Sequence, residues 1–71
     1  MKNKVKELRA QKDMTQISFA EALGVTRQTV ISIESGKREP SLGLAFNISK
    51  VLEEPIEKIF IPDEEKAKHE T

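Results

Sequence analysis

Residues 15–34 read TQISFAEALGVTRQTVISIE, and this stretch decides the fold of the chain. Two short helical patterns meet in it at Gly24. Thr15 precedes the first pattern and Thr26 the second, and a threonine hydroxyl can cap a helix by accepting a backbone N–H group. Glycine often ends a helix because it readily takes the positive φ that such a turn needs. The stretch therefore predicts two short helices joined by a tight turn.

The composition limits the classes of protein to which the chain can belong. Its 71 residues form one domain, and a domain of that size buries only about 60% of the surface that its unfolded chain exposes. The absence of cysteine excludes disulfides and thiol chemistry and favours a reducing, intracellular location. A single histidine, His69, is too few for a metal cluster. We therefore expect a cytoplasmic protein with no deep enzymatic cleft and no metal or other cofactor.

Membrane insertion, secretion and catalysis are not expected either. The sequence has no run of about 18 apolar residues and no basic head followed by an apolar core. It also lacks a glycine-rich phosphate loop and a pair of carboxylates suited to acid and base catalysis. No segment that would bind a small-molecule effector is evident.

The charges are unevenly distributed, although the net charge is zero. Residues 1–40 contain eight lysines or arginines and five acidic residues, a net charge of +3, and the rest of the chain carries −3. A basic front half and an acidic rear half suit a protein that presents one face to phosphate groups. The alternative is a solvated surface charge without a function.

Hydrophobic periodicity predicts an all-α fold of five helices. They cover approximately residues 3–12, 16–23, 27–34, 41–52 and 56–60. The fourth helix carries one apolar stripe, which consists of Leu42, Ala45, Ile48 and Leu52. We expect one domain over residues 1–61, followed by a charged, flexible tail over residues 62–71.

The second and third predicted helices have the spacing of a helix-turn-helix. Their sequence resembles the Cro/repressor-type (XRE-type) helix-turn-helix proteins, which bind DNA. The matching residues are Thr15-Gln16, Phe19-Ala20, Leu23-Gly24-Val25-Thr26 and Ile33-Glu34. The resemblance extends to Phe60, but it fails at Glu53 and Pro55, where the family commonly has glycine and a capping serine. It implies a compact, five-helix, lambda-repressor-like domain of the small single-domain subgroup.

The resemblance implies sequence-specific binding of double-stranded DNA, with the third helix in the major groove. The protein would be a transcriptional regulator, chiefly a repressor. The family's base-contacting positions fall on Arg27, Gln28 and Ser32, with Thr29 and Ile31 at their margin. Arg27 could bind guanine and Gln28 adenine in bidentate fashion. Arg27 could also reach a phosphate, because a long side chain at a helix start is not confined to the base edges.

The family's phosphate-contacting positions lie around the two ends of the motif. They correspond to Gln16, Thr26, Ser35, Lys37 and Arg38, or to their immediate neighbours. A helix N-terminus suits this role because its free N–H groups and its dipole attract anions. For each residue the alternative is an ordinary cap or a solvated loop side chain.

Arg9 is expected on the apolar face of the first helix, where its charge needs a partner. The resemblance pairs it with Glu34, at the end of the third helix. Such an ion pair would hold the third helix against the first. The alternative is that both side chains are solvated.

A single domain of this kind offers DNA an interface of only about 600 to 1,000 Å². Tight binding therefore implies a homodimer on a palindrome-like operator, with recognition helices about 34 to 36 Å apart. Relatives of this length pair through the fourth and fifth helices. We place the dimer interface on Ile56, Ile59, Phe60 and Ile61.

A protein-interaction module, for example an antitoxin or an adaptor, is the alternative function. Its third helix should expose apolar side chains in place of polar ones. Arg27 and Gln28 favour DNA binding, whereas Ile31 is a mild indication for the alternative.

Overall fold

The structure is a computed structural model that describes residues 1–62, most of them helical. Its elements are β1 (Lys2–Asn3), α1 (Val5–Gln11), α2 (Gln16–Leu23), α3 (Arg27–Glu34), α4 (Leu42–Leu52), α5 (Ile56–Ile59) and β2 (Phe60–Ile61). The expected five-helix fold is confirmed, with one short strand pair in addition. The domain limits stay a prediction, because residues 63–71 of the expected tail lie outside the described residues.

Local hydrogen bonds fix the start of three helices. The hydroxyl oxygens of Thr15, Thr26 and Ser41 accept the N–H of the residue three positions further on, at 3.0, 3.2 and 3.2 Å. Gly24 ends α2 with a φ of 73°, a left-handed conformation that glycine adopts without steric cost. The predicted bounds of α2 and α3 are confirmed because the capping signals act within a few residues.

The hydrophobic core draws side chains from all five helices and from β2. Its buried members are Val5, Phe19, Ala20, Val30, Ile33, Ala45, Ile48, Leu52, Ile59 and Phe60. Each large side chain buried in this way contributes roughly 1.5 to 3 kcal/mol. A helix as short as α3 is unstable alone. Packing of α3 on α1 and α2 therefore holds it in place.

The strand pair joins the two ends of the described chain. Lys2–Asn3 runs antiparallel to Phe60–Ile61, and the N–H of Lys4 donates to the carbonyl of Ile59 at 2.8 Å. This pairing shortens two predicted helices. The first begins at Val5 instead of residue 3, and the last ends at Ile59 instead of residue 60. Both differences arise from contacts between residues far apart in sequence.

Of the four residues expected at the dimer interface, two belong to the core of the protomer, and the interface itself stays a prediction. Ile59 and Phe60 are buried inside the protomer, where α5 and β2 close the core beneath α4. Ile56 is half-buried and Ile61 is exposed. A cluster of apolar residues in sequence cannot by itself distinguish a core from an interface, because both bury the same side chains.

The turn between α4 and α5 contains an unusual backbone conformation. Glu53 ends α4 with a φ of 57°, in the left-handed region. The helix-turn-helix family that the sequence resembles commonly has glycine at this position. Its carboxylate accepts a hydrogen bond from Lys12 at 2.5 Å, which links the ends of α1 and α4. Pro55 lies just before α5 and provides no side-chain cap.

Candidate nucleic-acid interface

The outer face of α3 carries the side chains that were expected to contact bases. Arg27 and Gln28 are exposed, and Thr29, Ile31 and Ser32 are half-buried. Gln28, Ile31 and Ser32 stand at i, i+3 and i+4, so they share one side of the helix. The opposite side is buried in the core. The helix therefore presents a mixed polar and apolar strip that starts with an arginine and a glutamine.

An ion pair lies behind this helix and joins it to α1. The Arg9 Nε atom is 2.7 Å from Glu34 Oε2, and the two side chains are only 11% and 5% exposed. Arg9 also donates to the second carboxylate oxygen at 3.4 Å and to the carbonyl of Met14 at 2.7 Å. A partly buried charge pair needs such additional hydrogen bonds, because its desolvation is costly. The pair fixes the C-terminal end of α3 against α1.

Gln16 connects this ion pair to the start of α3. Its amide nitrogen donates to Glu34 Oε1 at 3.1 Å, and its amide oxygen accepts from Arg27 Nε at 3.3 Å. The sequence indicated a phosphate contact for Gln16 and gave no indication of this bridge. The side chain is thus engaged within the protein. The backbone N–H of Gln16, the first of α2, has no partner inside the helix.

The loop after α3 folds back onto the end of the helix. The backbone N–H groups of Lys37 and Arg38 both donate to the carbonyl of Ser32, at 3.1 and 3.2 Å. Gly36 permits this with a φ of 81°. The side chains of Lys37 and Arg38 are exposed, and no acidic group of residues 1–62 lies within ion-pair distance of either. Two cations are therefore available to an anion at this end of α3.

The two hydroxyl residues expected at phosphates occupy helix ends. Thr26 caps α3, and its hydroxyl also hydrogen-bonds the Thr29 hydroxyl at 3.0 Å. The Ser35 hydroxyl donates to the carbonyl of Ser32 at 3.0 Å. Both side chains are exposed. They combine a local structural role with access to solvent.

The dimensions of α3 match those of a major groove. An α-helix with its side chains is about 10 to 12 Å in diameter, and the major groove of B-DNA is about 12 Å wide. Arg27 stands at the first position of the helix, and Lys37 and Arg38 follow its end. Positive charge thus lies at the start of the polar strip and beyond its end.

A second surface, which we name the α4 surface, is apolar. It consists of Leu42, Phe46 and the cleft beside Leu42. Leu42 is 71% exposed and Phe46, one turn further along α4, is 51% exposed. The cleft has a volume of about 290 Å³ and is lined by Met1, Glu39, Pro40, Leu42, Ala45, Ile56 and Phe60.

The α4 surface was not predicted, and the assignment of Leu42 to the core stripe is wrong. The other three members of that stripe, Ala45, Ile48 and Leu52, are buried. Leu42 occupies the first turn of α4, where the helix reaches beyond the core. The one sequence signal for this surface is the spacing of four between Leu42 and Phe46, which puts both on one side of a helix.

Other kinds of site are not found in the part of the chain that the structure describes. Residues 1–62 contain no cluster of histidine, cysteine or acidic side chains that could hold a metal ion. In the same range, no helix has the length and apolar character needed to cross a membrane.

Comparison with known sequences gives one family and several relatives. A family model described as helix-turn-helix matches residues 5–59. An uncharacterised HTH-type transcriptional regulator of Methanocaldococcus jannaschii is 52% identical over 65 residues, which cover 92% of this chain and 98% of that protein. The uncharacterised HTH-type transcriptional regulator YgzD of Bacillus subtilis is 51% identical over 65 residues, with the same coverage of both proteins.

Two solved structures share the fold. The restriction-modification controller protein C.AhdI of Aeromonas hydrophila is 28% identical, with a TM-score of 0.72 over 79% of this chain and 85% of that one. A hypothetical transcription factor from Neisseria is 21% identical, with a TM-score of 0.74 over 94% of this chain and 75% of that one. At that lower identity, the likeness concerns the fold alone.

Proposed function

This chain belongs to the XRE-type helix-turn-helix family, and on that basis we propose that it binds double-stranded DNA as a homodimeric repressor. In this proposal α3 enters the major groove. The observation that carries it is the solvent-facing strip of α3, which begins with Arg27 and Gln28 and is supported from behind by the Arg9–Glu34 ion pair. A rigid helix with exposed polar side chains is what reading of base edges requires.

Arg27 and Gln28 are the main candidates for base recognition. The amide oxygen of Gln16 accepts a hydrogen bond from Arg27 Nε at 3.3 Å, and within residues 1–62 the two terminal guanidinium nitrogens have no hydrogen-bond partner. They can therefore face the O6 and N7 atoms of a guanine. Gln28 can make the corresponding pair of bonds to adenine, and each such pair gives about 1 to 3 kcal/mol of discrimination.

The remaining strip residues have smaller roles in the proposal. Ser32 can bond a base edge, and Ile31 can pack on a thymine methyl group. Thr29 lies at the margin, because its hydroxyl already contacts that of Thr26.

Phosphate contacts would place α3 in the groove without selecting a sequence. Lys37 and Arg38 supply the charge after α3, and Thr26 and Ser35 supply hydroxyls at its two ends. Gln16 contributes its backbone N–H at the start of α2, where the helix dipole favours an anion. Together these groups would contact the backbone on both sides of one groove.

We propose that the α4 surface, with Ile56 at its edge, forms the dimer contact. Leu42 and Phe46 are large apolar side chains that the protomer leaves in water, and exposed apolar patches commonly mark protein interfaces. A two-fold axis brings the same patch of both subunits together. The dimer would place two copies of α3 in successive major grooves of a palindrome-like operator, about 34 to 36 Å apart.

In this proposal the protein represses transcription. A dimer that occupies two turns of a promoter excludes polymerase by steric overlap, and it needs no further contact to do so. The cytoplasm, where the DNA of the bacterial and archaeal relatives lies, is the proposed location.

Selection of bound duplexes from a random pool, followed by a salt titration, tests the proposal. We expect a palindrome-like motif and a linear fall of log affinity with log salt concentration, by about 0.9 per phosphate contact. A binding constant that does not respond to salt would contradict the proposal, as would the absence of binding to every duplex.

The α4 surface also favours a second candidate function. Its exposed leucine and phenylalanine could bind a different protein, as an antitoxin or an adaptor would. Sedimentation distinguishes the dimer contact from binding of a different protein. Self-association at micromolar concentration supports the dimer, and a protein that stays monomeric with and without DNA supports binding of a different protein.

A further inference from the structure

The side chain of Asn3 joins two helices that are distant in sequence. Its amide nitrogen donates to the carbonyl of Ile33, in the last turn of α3, at 2.8 Å. Its amide oxygen accepts the N–H of Val5, the first residue of α1, at 3.1 Å. Asn3 is half-buried, so these bonds are partly shielded from water. One side chain thus connects the start of α1 to the end of α3.

The backbone around Asn3 adds a third connection. Asn3 lies in β1 opposite Phe60 of β2. On the other side, the carbonyl of Met1 approaches the loop after α3 so closely that a Cβ at Gly36 would lie 3.3 Å from it. The first residues of the chain therefore lie against both β2 and the loop after α3, beside an open cleft of about 550 Å³.

The hydrogen bond from Asn3 to Ile33 is not needed to give the Ile33 carbonyl a partner. The Ile33 carbonyl already accepts the N–H of Gly36 at 3.0 Å, so the bond from Asn3 adds a second partner to it. Its effect is to limit where the end of α3 can lie. The start of α3 is held separately, by the Thr26 cap and by the burial of Val30 in the core. A helix of eight residues that is held at both ends has a defined tilt.

The end of α3 is connected through Asn3 to the α4 surface. Phe60, opposite Asn3 in the strand pair, lines the cleft of that surface together with Ile56. In a dimer built on the α4 surface, the position of α3 relative to that surface, and hence to Phe60 of β2, contributes to the distance between the two recognition helices. That distance determines the spacing of half-sites that the dimer can bind.

We propose that Asn3 is a positioning residue that fixes the tilt of α3 relative to β2 and thereby sets the half-site spacing accepted by the dimer. This inference rests on the proposed function, because it assumes DNA binding through α3 and pairing through the α4 surface. Asn3 itself touches no DNA in the proposal.

Two variants of Asn3 separate its bond to α3 from its bond to α1. Asn3→Ser keeps a neutral oxygen that can accept the Val5 N–H, but its side chain is too short to reach Ile33. Asn3→Asp keeps the length and the acceptor, but at neutral pH it cannot donate. Asn47→Ser is the matched control, because Asn47 is exposed on α4 and its side chain makes no hydrogen bond within residues 1–62.

The first measurement is amide hydrogen exchange of the free protein. In both Asn3 variants we expect exchange at Gly36 and Lys37, whose N–H groups close the end of α3, to accelerate about tenfold. The amides of α4 and those of the Asn47 control should keep the wild-type rates. Unchanged protection at the end of α3 in both variants would overturn the proposal.

The second measurement uses duplexes that carry the selected half-sites with the spacing changed by one base pair in either direction. Wild type should prefer one spacing. Both Asn3 variants should lose about fivefold to tenfold in affinity at that spacing and bind the three duplexes more equally. Their preference for bases within a half-site should stay that of wild type.

The outcomes distinguish this inference from the proposed function. An equal loss on all three duplexes, with the spacing preference intact, would show that Asn3 contributes to stability only and would overturn the inference. If wild type binds no duplex at all, the proposed function fails and the spacing role fails with it. Hydrogen exchange then still decides whether Asn3 holds the end of α3.

Discussion

At the residue scale, the protein connects its core to its exposed helix face through a short chain of side chains. Arg9 bonds Glu34, Glu34 bonds Gln16, and Gln16 bonds Arg27. The side chains of Arg9 and Glu34 are largely buried, and that of Arg27 is exposed. An exposed arginine normally samples many rotamers, and fixing one nitrogen reduces the entropy that it loses on binding. The network therefore prepares Arg27 for a directed contact.

Substitutions on and beside α3 should separate base recognition from phosphate contact. Arg27→Ala and Gln28→Ala should each reduce discrimination between the selected site and a single-base variant by about 1 to 3 kcal/mol. Lys37→Ala should weaken all duplexes about equally and lower the salt slope by about one. Quantitative binding at several salt concentrations provides both quantities. Losses of the same kind from all three substitutions would contradict this division of roles.

The Arg9–Glu34 pair should contribute strongly to stability. Arg9→Ala leaves the carboxylate of Glu34, which is 5% exposed, without its cation. We expect a loss of about 3 kcal/mol in the free energy of unfolding and a fall in Tm of more than about 10 °C. The fall in Tm is measured by thermal denaturation, with circular dichroism as the signal.

The double variant Arg9→Ala/Glu34→Ala is the control for that prediction. It should lose less than the sum of the two single variants, because neither charge is then left without its partner. A wild-type Tm in Arg9→Ala would mean that the pair adds nothing to stability.

At the element scale, the end of α4 retains a strained residue. Glu53 has a left-handed backbone, which is unfavourable for a residue with a Cβ. Glu53→Gly should therefore raise Tm by about 3 °C, even though it removes the contact with Lys12. Asp13, with a φ of 57°, is the matched control. Asp13→Gly should give a smaller gain because aspartate tolerates this conformation better.

The gain from Glu53→Gly should depend on pH. The hydrogen bond from Lys12, and then its positive charge, lower the pKa of Glu53 from its ordinary value of 4.5. A folded-state pKa below the unfolded one means that the pair stabilises the fold above about pH 4.5, and that this contribution disappears as the pH falls through the folded-state value.

Tm values of the two proteins from neutral to acid pH test this dependence. The variant has no pair to lose, so its advantage over wild type should be larger at acid pH than at neutral pH. Added salt should enlarge the neutral-pH advantage in the same way, since it screens an exposed pair. An advantage that shrinks at acid pH would contradict this account of the turn.

At the scale of the whole molecule, the two subunits of the proposed dimer meet through the α4 surface. Phe46→Glu should raise the dissociation constant of the dimer by at least about 100-fold, because each interface would then bury two unpaired charges. Asn47→Glu, the neighbouring exposed position on the same helix, should leave it unchanged. Analytical ultracentrifugation at micromolar concentration compares them. Equal effects of the two substitutions would place the dimer contact elsewhere.

The sequence by itself determined the local structure of the motif. The caps at Thr15, Thr26 and Ser41 and the left-handed Gly24 act within four residues, so the bounds of α2 and α3 agree with the prediction. The family could also be recognised from spaced residues of the same stretch. These features depend on residues that are close together in the chain, so they can be predicted from the sequence alone.

Only the tertiary structure decided which apolar and polar side chains meet. It buried Ile59 and Phe60, which were expected at an interface, and left Leu42 in water, which was expected in the core. It also brought Asn3 to Ile33 and Gln16 to Glu34. Apolar periodicity shows only that a side chain prefers a dry environment. Whether the same chain or a second copy supplies that environment depends on packing between residues that are far apart in sequence.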